Sequence, residues 1–134
     1  MKYLLDTHIL FWAVSEEYKL PEQVLSIVND PKNEIFFSTA SVWEVVIKHA
    51  KNEKNMPVRG KDFLEACLNA GFEPLAIEND HVLAVSKLKR RKSEPSPHDP
   101  FDRVLIAQAK TEKMTLITHD SMFSGYSEKC VMTI

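Results

Sequence analysis

The residues best suited to chemistry in this sequence are acids that sit at the edges of apolar segments: Asp6, Glu44, Asp99, Asp102 and Asp120. Asp6 closes the run Tyr3-Leu4-Leu5, and Glu44 lies soon after the apolar segment EIFFS. Asp99 and Asp102 open an apolar helical pattern, and Asp120 lies just past MTLIT. Carboxylates gathered without a counter-charge repel one another and raise their own pKa values. A hard cation such as Mg²⁺ relieves that conflict, because it prefers oxygen ligands and keeps several waters. It can then orient and activate an attacking water and stabilise charge on phosphoryl oxygens. If one site collects these acids, it is suited to metal-assisted hydrolysis of a phosphodiester.

Each acid taken singly has a plainer role. Asp6 and Asp120 are acceptable helix N-caps. Ser41-Val42-Trp43-Glu44 fits a capping box. Asp99-Pro100-Phe101-Asp102 fits an N-cap, a first-turn proline and a favourable acid in the first turn. What argues for a shared site is the elements that carry them. Tyr3–Leu5, Glu34–Ser38, Phe72–Ile77, Met114–Thr118 and Val131–Ile134 read as strands. Between them lie helical patterns over Thr7–Val14, from Pro21 to Asp30, after Ser38, over Lys61–Ala70, after an N-cap at Asn79, and from Asp99-Pro100 onward. Strands alternating with helices, with continuous apolar strand cores, predict an α/β fold whose mostly parallel sheet is covered by helices on both faces. In such a sheet ligands bind beyond the carboxyl ends of the strands, where following helices begin. All five acids map to that rim.

The 134 residues suit one domain, 1–134, with no internal repeat. The net charge of −2 does not mark the whole molecule as a nucleic-acid binder. Its distribution is segregated: Lys87, Lys89, Arg90, Arg91 and Lys92 put five positive charges in six positions, and removing them leaves −7 on the remainder. Cys67 and Cys130 have no metal-ligand spacing and read as buried thiols of a reducing compartment. No apolar run is long enough to span a membrane, and Asp6 and His8 interrupt any signal-like opening, so the expected location is the cytoplasm.

Several neighbours of the acids have two roles open to them. The basic run, with Lys89, Arg90, Arg91 and Lys92, either holds a nucleic-acid backbone beside the acids or is a solvated helix end. Arg103 either pairs with a site carboxylate or a phosphate, or makes a surface salt bridge. His8, His98 and His119 are placed to shuttle protons, but side-chain periodicity favours their pointing away. Phe11, Trp12 and Trp43 read as core or interface residues rather than base-stacking ones.

The motifs resemble those of PIN-domain nucleases, most closely VapC-type toxins of bacterial toxin–antitoxin pairs, over nearly the whole chain. YLLDTHILFWAV resembles the family's first strand, metal-binding Asp and following helix. STASVWEVVIK resembles the second-strand exit with its acidic helix, and TLITHD the strand followed by Thr-x-Asp. HDPFDRVLIAQAK, the most specific piece, resembles a subgroup in which Asp-Pro-x-Asp-Arg opens the long helix. The resemblance implies that Asp6, Glu44, Asp102 and Asp120 form the acidic quartet, that Asp99 is the subgroup's extra acid, and that Thr118 supports the site. It also implies cleavage of single-stranded RNA, dependence on Mg²⁺ or Mn²⁺, a homodimer, and a small VapB-type antitoxin as partner.

Two other enzyme classes fail on the residues. An aspartyl phosphatase of the haloacid-dehalogenase type needs a second acid two residues after the first, and here that position is His8. A response-regulator receiver needs an acidic pair that this chain lacks. A non-catalytic PIN-like module that binds RNA or protein is the remaining alternative.

Overall fold

A computed structural model describes residues 1–89 and 99–134. Five strands, β1 (Lys2–Leu5), β2 (Glu34–Ser38), β3 (Glu73–Leu75), β4 (Thr115–Thr118) and β5 (Val131–Thr133), form one sheet in the order β3-β2-β1-β4-β5. Every pairing is parallel. The helices are α1 (Thr7–Ser15), α2 (Glu22–Asn29), α3 (Thr39–Lys51), α4 (Gly60–Asn69), α5 (Asn79–Val85) and α6 (Pro100–Glu112).

The continuous apolar strands are explained by two cores. Successive side chains of a strand point to opposite faces. Leu5 and Ile117 enter one core with Ile9, Leu10, Val24, Phe37, Val45, Phe63 and Cys67. Their neighbours Leu4 and Leu116 enter the other with Val104, Leu105, Ile106, Ala109, Met114 and Phe123. Helices α1, α2 and α4 therefore cover one face and α6 the other, while α3 gives Val45 to the first core and Ala40 to the second. A sheet buried on both faces has no polar alternation to show.

Some local expectations shift by a few residues, and the reason is capping. Helix α3 begins at Thr39 because the Ser38 side chain accepts from the Ala40 amide at 3.0 Å. Ser41 is thus inside the helix, and the Ser41–Glu44 capping box does not form. Helix α5 is capped by Glu78, not Asn79, in a capping box that His81 completes. His81 Nδ1 accepts from the Glu78 amide at 3.0 Å, and Nε2 meets Glu112 at 2.8 Å, tying α5 to α6. Pro21 occupies the cap position of α2 rather than its first turn. Gly71, at φ +84°, is the left-handed stop after α4. Cys67 is buried as expected; Cys130 is only partly buried, and both thiols are free. No described helix is long and apolar enough to cross a membrane.

The chain lays down β1, β2 and β3 toward one edge, then returns to place β4 and β5 on the other side of β1. The order reverses between β1 and β4, and a crevice opens outside the carboxyl ends of strands at such a point. β1 runs directly into Asp6 there, and β4 into His119 and Asp120.

Candidate functional site

A cleft of about 760 Å³ opens at this reversal, and Asp6, Glu44, Asp99, Asp102 and Asp120 all line it. Register explains the first pair. Leu5 faces Ile117 across β1 and β4, and the Asp6 amide donates to the Ile117 carbonyl at 3.0 Å, so Asp6 lies beside Thr118. The Thr118 hydroxyl donates to Asp6 Oδ2. Asp6 Oδ1 caps α1 by accepting from the Ile9 amide at 2.9 Å. Both oxygens of this 5 %-exposed carboxylate are therefore oriented. Thr118 Oγ1 also accepts from the Asp120 amide at 3.1 Å, so one buried hydroxyl ties both acids to the end of β4.

Glu44 is held from two sides. The Thr7 hydroxyl lies 2.8 Å from Glu44 Oε1 and 2.9 Å from Ser41 Oγ. A carboxylate only accepts, so Thr7 donates its one proton to Glu44 and accepts from Ser41. Lys48, one turn along α3, pairs with Glu44 Oε2 at 2.8 Å. Asp99 caps α6 through Oδ1, which accepts from the Phe101 amide at 2.8 Å, with Pro100 in the first turn. Asp102 follows one turn in, where the positive end of the helix dipole offsets part of its charge.

The electrostatics are unfavourable for the acids alone. Burial pushes the Asp102 carboxyl up to about 7, and the charges of Asp99, Glu44, Asp120 and Asp6 push it in the same direction. Burial also raises Asp6, against the lowering effect of the Thr118 hydroxyl and the Ile9 amide. Asp102 thus feels all four other acids, and the cleft holds more negative charge than its own groups neutralise.

The family model for the PIN domain matches residues 3–129. The chain belongs to the PIN domain family. No curated protein matches it in sequence. Its fold is similar to that of VapBC2 from Rickettsia felis bound to a DNA fragment from their promoter, at 16% identity and TM-score 0.70, covering 100% of this chain and 99% of that one. It is also similar to VapBC-1 from nontypeable Haemophilus influenzae, at 17% identity and TM-score 0.61, covering 92% and 90%. A toxin-antitoxin complex from Klebsiella pneumoniae aligns at 20% identity and TM-score 0.57, covering 98% and 96%. At these identities the likeness is one of fold.

The cleft of this PIN domain also has walls that the sequence did not reveal. Lys19, Lys48 and Lys51 line it, with Asn52 and Asn55 from the loop after α3. Lys48 was within reach of sequence reasoning, since it stands four residues after Glu44 on one helix. The bonds from Thr7 to Ser41 and Glu44 were not, because their partners lie 34 and 37 residues away. By contrast, Lys89 is not beside the acids: it lines a second cavity at the opposite rim, where its carbonyl accepts from the Ser127 amide at 2.8 Å. Helix α5 descends from the rim of the acids, which puts Lys89 at the far end. Arg90, Arg91, Lys92 and His98 lie outside the described residues. Arg103 does not line the cleft; its Nε is enclosed with no hydrogen-bond partner among the described residues.

His8 and His119 do not point away as periodicity suggested; both line the cleft, and so do Phe11 and Trp12. Trp12 still packs partly on the core, as expected. Trp43 is neither core nor cleft: it is 56 % exposed and meets Phe101 edge-on at 5.0 Å.

The donor set suits a hard divalent cation. Carboxylate and hydroxyl oxygens from β1, α3, α6 and the exit of β4 face one space, and Mg²⁺ asks for only one or two carboxylates while keeping waters. Among the described residues no three carboxylate, imidazole or thiol groups converge tightly enough to enclose a bare ion. A loose, oxygen-only arrangement fits a largely hydrated Mg²⁺ better than a closed zinc site.

Proposed function

We propose that this PIN domain is a metal-dependent endoribonuclease that hydrolyses phosphodiester bonds of RNA, and that it serves as the toxin of a VapBC-type pair. The observation that carries the reading is the gathering of four other carboxylates around partly buried Asp102 in a cleft at the reversal of strand order. Asp6, Glu44, Asp102 and Asp120 would hold Mg²⁺, or Mn²⁺ in its place, with Asp99 at the edge of the group. The cation would supply Lewis-acid stabilisation of the phosphoryl oxygens and activation of the attacking water.

The chain's own residues do the positioning. Thr118 and the Ile9 amide fix the two oxygens of Asp6, and Thr7 and Lys48 fix those of Glu44. Lys19, Lys48 and Lys51 along the cleft suit the phosphates of a nucleic-acid backbone. The partner reading rests on the fold shared with VapBC complexes from two organisms. Homodimer formation belongs to the same reading, and Trp43, Val46 and Ile47 give α3 an exposed apolar face for it.

Purified protein incubated with total cellular RNA should yield discrete fragments with Mg²⁺ or Mn²⁺ and none with EDTA. Asp6→Ala should remove the fragments while circular dichroism shows an intact fold. A non-catalytic module that binds RNA is the second reading. That reading gains if wild type binds RNA but leaves it uncut with either metal.

A further inference from the structure

Three rings pack together beside the acids, and the metal chemistry proposed above uses none of them. His8 and Trp12 stand four residues apart on α1 and therefore share a face. Their ring centroids are 4.8 Å apart, tilted by 57°. His119, from the exit of the neighbouring strand β4, stands 5.3 Å from Trp12 at the same tilt. Both histidines are exposed, Trp12 is half-buried, and all three line the acidic cleft. The group is anchored: adjacent Phe11 stacks on fully buried Phe63 at 6.3 Å, and His119 Nδ1 lies 3.2 Å from the Ile134 carbonyl, to which it donates. Core packing explains the buried side of Trp12 but not two exposed imidazoles packed against it.

We propose that Trp12, with His8 and His119 packed against it, forms the platform on which an unpaired nucleobase stacks when its backbone phosphate enters the acidic cleft. The inference rests on the ribonuclease reading and adds to it the part of the substrate that the aromatic wall contacts. An acidic floor attracts no nucleobase. A π surface does so whatever the base, because each base has a stacking face. The rings belong to the exits of β1 and β4, the two strands that carry Asp6 and Asp120, so the base would lie next to the phosphodiester being cut. A paired base has its faces covered by its neighbours in the duplex, so the platform selects unpaired RNA.

The test uses a single-stranded RNA decamer and a decamer of abasic ribose phosphate, with binding followed by anisotropy in EDTA and again in Mg²⁺. Trp12→Ala should weaken binding of the intact decamer about tenfold and leave binding of the abasic decamer unchanged. Trp12→Phe should restore most of the loss. The chain has two tryptophans, so Trp43→Phe leaves Trp12 as the sole indole. Its fluorescence should be quenched by the intact decamer and not by the abasic one, a readout that leaves the platform itself unmutated. If Trp12→Ala weakens both decamers equally, or both quench equally, the platform is overturned while the ribonuclease reading stands. If wild type binds neither decamer with or without Mg²⁺, both fall together.

Discussion

At the N-terminal end of α6, Asp6, Glu44, Asp99, Asp102 and Asp120 share one cleft and Asp102 is pushed up to about 7. At its other end Lys89, Lys110, Lys113 and Lys129 line a second cavity of about 670 Å³ around one acid, Glu128. The Glu128 side chain is only 6 % exposed, yet it is satisfied: one oxygen accepts from the Lys89 amide at 2.8 Å and pairs with Lys110 at 3.2 Å. The lysines around it keep their heads in water on long apolar stems. Both ends follow the helix dipole, acids at the positive end and lysines at the negative. The difference lies in what surrounds the buried charge. Glu128 has opposite charge and a donor beside it and serves the fold. Asp102 has burial against it and four like charges nearby, a repulsion that the proposed cation would relieve.

The largest expected effect comes from removing a cleft acid. Asp102→Ala or Asp6→Ala should lower Mg²⁺-dependent RNA cleavage by more than about 100-fold, since even partners of a metal ligand cost about 10–100-fold. Initial rates on one labelled RNA check this. Thr118→Val should come next, at about 10–100-fold, because it removes the hydroxyl that orients Asp6 and leaves a buried oxygen without its donor. Glu128→Ala should behave oppositely. It should cost about 1–3 kcal/mol of stability in urea unfolding and leave the cleavage rate unchanged. If Glu128→Ala abolished cleavage and Asp102→Ala did not, the contrast between the two ends would be broken.

A pH series sharpens the same contrast. A carboxyl whose folded-state pKa lies above its unfolded value favours the fold while protonated. For Asp102 that contribution is full below about pH 4 and is lost as pH rises through about 7. The metal-free protein should therefore lose melting temperature across that window, and Asp102→Asn should flatten the loss. Mg²⁺ should raise the melting temperature more at pH 8 than at pH 6, because it binds the ionised acids. The smallest effect should be that of Asp99→Asn. Asparagine caps a helix as well as aspartate does, so stability should hold and cleavage should fall by less than in Asp102→Asn.

The strands and the order of elements were legible because a doubly covered sheet writes each strand as a continuous apolar run, as in EIFFS and TLIT. The start of α6 was legible because Asp99-Pro100 states a cap and a first turn in two adjacent residues. The site was legible as a set of acids at one rim, since that needs only element order. What held each acid in place was not, because Thr118 reaches Asp6 across 112 residues and Thr7 reaches Glu44 across 37. The first bond depends on β4 returning to lie against β1 and the second on α3 packing beside α1, arrangements that no local pattern announces. Lys89 shows the same limit: it stands close to Asp99 in sequence but lies at the far rim. Of the three lysines that line the cleft, Lys48 and Lys51 come instead from α3, and Lys19 from the turn after α1.

The most direct test of the central claim is calorimetric titration of the metal-free protein with Mn²⁺ at pH 8, wild type beside Asp102→Asn and Glu128→Gln. Saturable binding by wild type and by Glu128→Gln, lost in Asp102→Asn, is the predicted result. Equal binding by wild type and Asp102→Asn, or none by wild type, would contradict it.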